Sequence, residues 1–175
     1  MKYITQVRNT YLILLTPATV CLAVPLYEQL ELLKKNKVAV VCGILSGTLA
    51  SLTGIFVLCM LFGFNHQQYV TMLPKSITTA IGIGISEELG GIVTITVAVI
   101  IITGILGNVI ADTVFHIFKI KNPLAKGLAL GTASHAIGTA RAIEMGPVEG
   151  AMSSLAVAVA GLLTVVFVSG FAQLI

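Results

Sequence analysis

The sequence predicts an all-α integral membrane protein: a helical bundle with broken or re-entrant segments and an internal inverted repeat. Three observations carry that prediction. First, 57% of the 175 residues are hydrophobic and 10% are charged, and mean hydropathy is +1.02. A soluble domain carries about 25% charged residues. Second, uncharged runs long enough to cross a hydrocarbon core of about 30 Å alternate with short glycine- and hydroxyl-rich stretches. Third, two of those short stretches match each other. Sliding the chain by 56 positions sets Ala80-Ile81-Gly82 on Ala136-Ile137-Gly138, Glu88-Leu89-Gly90 on Glu144-Met145-Gly146, and Ser76 on Thr132.

Composition also narrows the function classes. The formal net charge is +3, but the basic residues cluster beside apolar spans without interleaved aromatics. That is a membrane pattern, and it excludes a nucleic-acid partner. Cys21, Cys42 and Cys59 lie in apolar runs without C-x-x-C spacing, so they read as packing residues, with no disulfide framework, metal site or cofactor. The N-terminal MKYITQVRNT lacks the small-residue cleavage site of a secretory signal.

Taken in order, residues 1–175 read as a single multi-pass domain of five or six hydrophobic segments. Tyr11–Leu26 is apolar but holds Pro17 and Pro25, which predicts a kinked or broken helix. The basic cluster Lys34, Lys35, Lys37 follows. Val38–Phe64 is an uncharged run of 27 residues, about 40 Å as a helix. Gly43, Gly47, Ala50 and Gly54 recur on one face of it, which predicts close packing against a neighbour. Asn65–Met72 reads as a polar connection. Pro74–Gly91 is rich in glycine and hydroxyls, with Lys75 at one end and Glu87 and Glu88 at the other. Gly91–Ala111 is a clean span, followed by Asp112, His116 and the basic connection Lys119–Lys126. Gly131–Gly146, GTASHAIGTARAIEMG, is the second broken stretch. Gly150–Ile175 is the last uncharged span, with Ala156, Ala158, Ala160 and Gly161 favouring tight packing.

Charge bias sets the topology. Cytoplasmic connections collect Lys and Arg, so the clusters at Lys34–Lys37 and Lys119–Lys126 face the same side. Val38–Phe64 then runs outward and Gly91–Ala111 runs inward. Pro74–Gly91 must start and end outside, as a re-entrant hairpin. One span plus one hairpin is an odd number of crossings, so the second copy is inverted. Two inverted broken segments meeting near the midplane are a transporter architecture.

Polar groups in such surroundings are costly unless paired or facing water, which makes them site candidates. The topology has His135 and Arg141 enter from the cytoplasmic side and approach the first hairpin near mid-membrane. Arg141 can grip a carboxylate through its planar fork, or pair with Glu144 three residues on. His135 can exchange a proton in the physiological range or simply bond to hairpin backbone. Lys75 is a second anion contact or an interfacial lysine. Glu88 and Glu144, related by the repeat, are candidate coupling residues, with Glu88 alternatively marking the wet end of a hairpin. Ser76, Thr78, Thr79, Thr132, Ser134 and Thr139 either line the path or satisfy freed backbone groups. Asp112 and His116, at i and i+4, read as an interfacial pair. An enzyme is not expected: Ser134 and His135 are adjacent and point apart, so they do not form a nucleophile–base pair.

GTASHAIGTARAIEMGPVEGAMSSLA, PKSITTAIGIGISEELGG and AVPLYEQL together resemble the LrgB/CidB family from about Thr16 onward. That family comprises bacterial antiholin-like proteins and, in plants, the plastid glycolate/glycerate translocator. Its typical members carry further apolar segments ahead of the one near Tyr11. The resemblance implies a bacterial cell-membrane protein with one of two activities. One is carriage of a small carboxylate such as glycolate, glycerate or pyruvate. On that reading Arg141, Lys75 and the hairpin hydroxyls hold the anion, and Glu144 or His135 couples protons. The other is oligomeric, antiholin-like control of murein hydrolase activity and lysis with an LrgA/CidA-like partner.

Overall fold

A computed structural model describes residue 24 and residues 27–175; the broken segment expected at Tyr11–Leu26 otherwise lies outside the described residues. The described elements are helices α1 (Leu30–Lys35), α2 (Lys37–Leu61), α3 (His66–Met72), α4 (Thr79–Glu88), α5 (Val93–Ile117), α6 (Pro123–Met145) and α7 (Pro147–Phe171), then a 3₁₀ turn (Ala172–Leu174). Three of them are long and apolar enough to cross a membrane: α2, α5, and α7 with its 3₁₀ extension. The α-helical part of each is 25 residues, about 37 Å of helix.

The first broken stretch is a re-entrant hairpin, and it begins earlier than expected. Asn65–Met72 is not a loop. Asn65 accepts from the Gln68 backbone while the Gln68 side chain accepts from Asn65, a capping box that starts α3. The chain turns at 73–78 and returns as α4. Both ends lie at one level: Gln67 donates to the Gly90 carbonyl, and Thr71 accepts from the Ile92 backbone N–H at 2.8 Å. The arms are tied to α5 by Thr96, whose hydroxyl lies 2.9 Å from the Thr71 carbonyl and 2.8 Å from Ser86 Oγ.

The second broken stretch folds back on itself inside α6. His135 has φ 44° and ψ −136° and separates two helical arms. Such backbone costs a non-glycine residue about 1–3 kcal/mol. A Cβ added at Gly138 would stand 2.7 Å from the Leu130 carbonyl, whereas those residues would be about 12 Å apart along an unbroken helix. The arm at 123–134 runs with α7: Gly127 meets Glu149 and Met152, and Gly131 meets Ser153 and Ala156. The arm at 136–145 runs back beside α5, with Gly104 against His135 and Asp112 against Arg141.

The repeat extends to whole elements. Adding 56 to the bounds Lys37–Leu61 of α2 gives Val93–Ile117, the bounds of α5. The contact of Gly82 with Pro74 recurs as that of Gly138 with Leu130. Each unit is one span and one hairpin, so the copies are inverted. The lysine clusters at 34–37 and 119–126 share one face, where Asn36 and Asn122 line a common cavity. The other face holds Asn65, Gly90 and the C-terminus, whose Ile175 carbonyl is bonded to His66 at 2.8 Å.

The largest cluster of buried apolar side chains lies towards that second face. Leu52, Ile55, Cys59, Tyr69, Val70, Leu73, Ile77, Ile85 and Val168 form one core. A smaller core joins Val40, Ile44 and Leu128 to Ala151, Ala156 and Ala160. The small-residue faces divide in their roles. Ala156 and Ala160 are buried, whereas Ala158 is exposed. On α2, Gly47 abuts Thr132 at a would-be 2.7 Å, but Gly54 meets nothing within 4 Å. Gly43, Gly47 and Ala50 also wall the cavity described next.

Candidate functional site

Between α2 and the first arm of α6 lies a cavity of about 660 Å³, lined from Asn36 and Asn122 at the lysine-rich face to Ser51, Lys75, Ser76 and Thr132 at its inner end. Along α2 the lining runs from Ala39 to Ser51, about 18 Å of helix rise. The inner end is therefore near mid-depth of the span, at the tip of the first hairpin. Small side chains at Gly43, Ser46, Gly47 and Ala50 leave this space open on one wall, with Ala125, Ala129 and Ala133 on the other.

Lys75 is the charge at the inner end. Its Nζ donates to Ser76 Oγ at 2.8 Å and stands 3.5 Å from Ser51 Oγ, and Ser51 in turn donates to Ser76 at 2.9 Å. The chain has seven acidic residues, all among the described residues, and the ion pairs found there belong to Arg141 alone. Lys75 thus has no carboxylate of its own chain within 4 Å. A lysine at the centre of a helix in a membrane costs about 2.5–3.5 kcal/mol on insertion scales. Here Lys75 is half-buried on the cavity wall, and its neighbours Ser51 and Ser76 offer hydroxyls. The arrangement can attract and hold a small anion.

The other sequence candidates are distributed differently. Ser76 and Thr132 line the cavity with Lys75. Arg141, expected to approach the first hairpin at mid-depth, instead joins Asp112 on α5 to Glu144 on its own arm. Its depth follows from the hairpin tip at His135: six residues further on, the arm has returned towards the lysine-rich face. Glu144 is exposed, and Glu88 is exposed at the opposite face. Asp112, expected to pair with His116, pairs with Arg141.

His135 is the pivot of the second hairpin. It is buried, with Nε2 3.0 Å from the Ile100 carbonyl, and Thr139 Oγ1 donates to the His135 carbonyl at 2.9 Å. Thr139 is also 2.8 Å from Ser153 Oγ. Ser134 is buried against Gly107, so its hydroxyl and the His135 ring face different neighbours. Thr79 opens α4 just past the tip. Of these four, none lines the cavity. Sequence reasoning passed over Ser51, which lines the cavity and is bonded to Ser76 beside Lys75, and it passed over Thr48. Thr48 is 2% exposed, and its Oγ1 has no hydrogen-bond partner among the described residues.

Comparison with known proteins settles the family. The LrgB-like family model matches residues 2–174. This chain belongs to the LrgB-like family. It is 41% identical over 161 residues to the antiholin-like protein LrgB of Bacillus subtilis, covering 92% of this chain and 70% of that protein. To the antiholin-like protein LrgB of Bacillus cereus it is 42% identical over 157 residues, covering 90% and 68%. No solved structure matches it. LrgB membership and the three apolar spans make it an integral membrane protein.

Proposed function

We propose for this LrgB-like protein an antiholin-like role in the bacterial cell membrane, the reading that the names of its relatives favour. Beneath that role we infer a molecular activity, carriage of a small carboxylate through the cavity that ends at Lys75. The observation that supports it is an unpaired lysine at the inner end of an open cavity, at the tip of a re-entrant hairpin. Inverted broken segments flanking a midplane site are the arrangement by which many carriers alternate access. The charge rule assigns the lysine-rich face to the cytoplasm, so the cavity opens inward. Lys34, Lys35, Lys37, Lys119, Lys121 and Lys126 on that face raise the local concentration of anions.

In this reading Lys75 and Ser76 contact the anion and Thr132 borders it. Arg141 with Glu144 and Asp112 straps the second hairpin to α5, and His135 and Thr139 hold that hairpin's turn. Glu88 and Glu144, each on a wet hairpin end, remain the coupling candidates. The lytic control implied for the family, with an LrgA/CidA-like partner or as a homo-oligomer, does not require carriage. Uptake by purified protein in liposomes separates the two. Saturable entry of labelled glycolate, glycerate or pyruvate supports the carrier. Altered autolysis of cells expressing the protein, with no uptake of any of the three, leaves the antiholin-like role and removes the carrier.

A further inference from the structure

Behind Lys75 lies a small chamber of about 10 Å³, lined by the hydroxyl-bearing residues Thr48, Ser51, Ser76, Thr132 and Thr164 together with Leu52, Leu73, Ile77 and Ala160. That is room for about one oxygen-sized atom. The hydroxyl protons around it can be assigned. Thr132 donates to the Leu128 carbonyl at 2.8 Å and Thr164 to the Ala160 carbonyl at 2.7 Å. Ser51 donates to Ser76 Oγ, and Ser76 Oγ also accepts from Lys75. The Ser76 proton is therefore left over. So is that of Thr48, which is 2% exposed and has no partner among the described residues. An unpartnered buried hydroxyl is expensive and calls for an explanation.

We propose that Thr48 and Ser76 form an oxygen subsite behind Lys75, which receives one oxygen of a bound carboxylate while the rest of the ligand stays in the larger cavity. Both free O–H donors and the Lys75 ammonium belong to one connected patch, which suits an oxyanion and offers little to a cation. The chamber's size admits a single oxygen and no carbon branch, so the carboxylate leads and the variable part of the ligand points towards the cytoplasm. The proposal rests on the carboxylate reading above, and it adds Thr48 as the residue that reads the ligand's leading atom.

The test uses the full-length protein in detergent with labelled acetate as probe. Thr48→Val keeps the shape and removes the hydroxyl, Thr48→Ser keeps the hydroxyl, and Thr48→Ala serves as a second hydroxyl deletion should valine disturb folding. A hydrogen bond to a charged group is worth about a 10- to 150-fold change in affinity. Thr48→Val and Thr48→Ala should weaken acetate binding by at least about tenfold, and Thr48→Ser should bind as the parent does. The ligand-free Thr48→Val protein should melt no lower than the parent, because it loses no bond within the protein. Equal acetate affinity of parent and Thr48→Val overturns the subsite and leaves the carboxylate reading standing. Absence of binding in the parent of acetate and of glycolate, glycerate and pyruvate alike overturns both; where acetate alone fails to bind, the same variants are read with the labelled acid that does.

Discussion

Replacing Gly138 with alanine tests the folded-back form of α6 by the sign of its effect. In an unobstructed helix interior, Gly→Ala gains about 0.8–1 kcal/mol. If 123–145 were one straight helix, Gly138→Ala would collect that gain. In the hairpin, the new methyl stands 2.6 Å from Ser134 Cβ and 2.7 Å from the Leu130 carbonyl. Neither is the end of a flexible side chain, so the arms must separate, and overpacking of this kind costs about 1–3 kcal/mol. Gly54→Ala is the internal control: Gly54 lies within α2 and meets nothing within 4 Å. Thermal unfolding of both variants in one detergent should rank Gly54→Ala at or above the parent. Gly138→Ala should fall below Gly54→Ala by about 1–3 kcal/mol. A Gly138→Ala protein as stable as Gly54→Ala would refute the hairpin.

Topology is checked by cysteines placed singly in a background free of native cysteine. One at Gln68 should react with an impermeant reagent from outside, and one at Asn122 only after permeabilisation; labelling of both from one side contradicts the inverted arrangement. Gly47→Leu drives a bulky side chain into Thr132 and into the cavity wall, so it should lower both the melting temperature and acetate affinity, the latter by at least about tenfold if Lys75 loses access. Parental behaviour in both would mean that this face borders neither α6 nor the site. Arg141→Ala, alone or with Glu144→Ala, should leave acetate affinity within about twofold, since the strap touches no cavity residue. A loss of tenfold or more in both variants, with folding intact, would return Arg141 to the anion site.

The hairpin architecture was readable because its signals are carried by residue type and count. Two lysine clusters fix sidedness, and Glu88 and Glu144 mark the repeat, so parity follows without coordinates. The start of the first hairpin was also written in the sequence, as Asn65 and Gln68 at capping-box spacing, but a polar stretch between apolar spans reads first as a loop. The depth of Arg141 was not readable. It depends on where the second hairpin turns, and a buried histidine with positive φ is not a residue that propensity selects for a turn. Gly43, Gly47 and Ala50 give the same pattern whether a helix packs close or a cavity is left open; only the position of α6 decides that they do both. Thr48 gave no signal, because a lone threonine in an apolar helix ordinarily bonds to its own backbone.

The central claim is that Lys75, at the end of a cavity open to the lysine-rich face, holds a small carboxylate. Labelled glycolate, glycerate or pyruvate, whichever the parent takes up in liposomes, can be followed beside Lys75→Met, which fills a similar volume without the charge. Loss of the charge-assisted bond should weaken substrate affinity by about 10- to 150-fold, with Lys75→Arg retaining part of it and both variants eluting as the folded parent does. Uptake by Lys75→Met at the parental rate and half-saturation would contradict the claim.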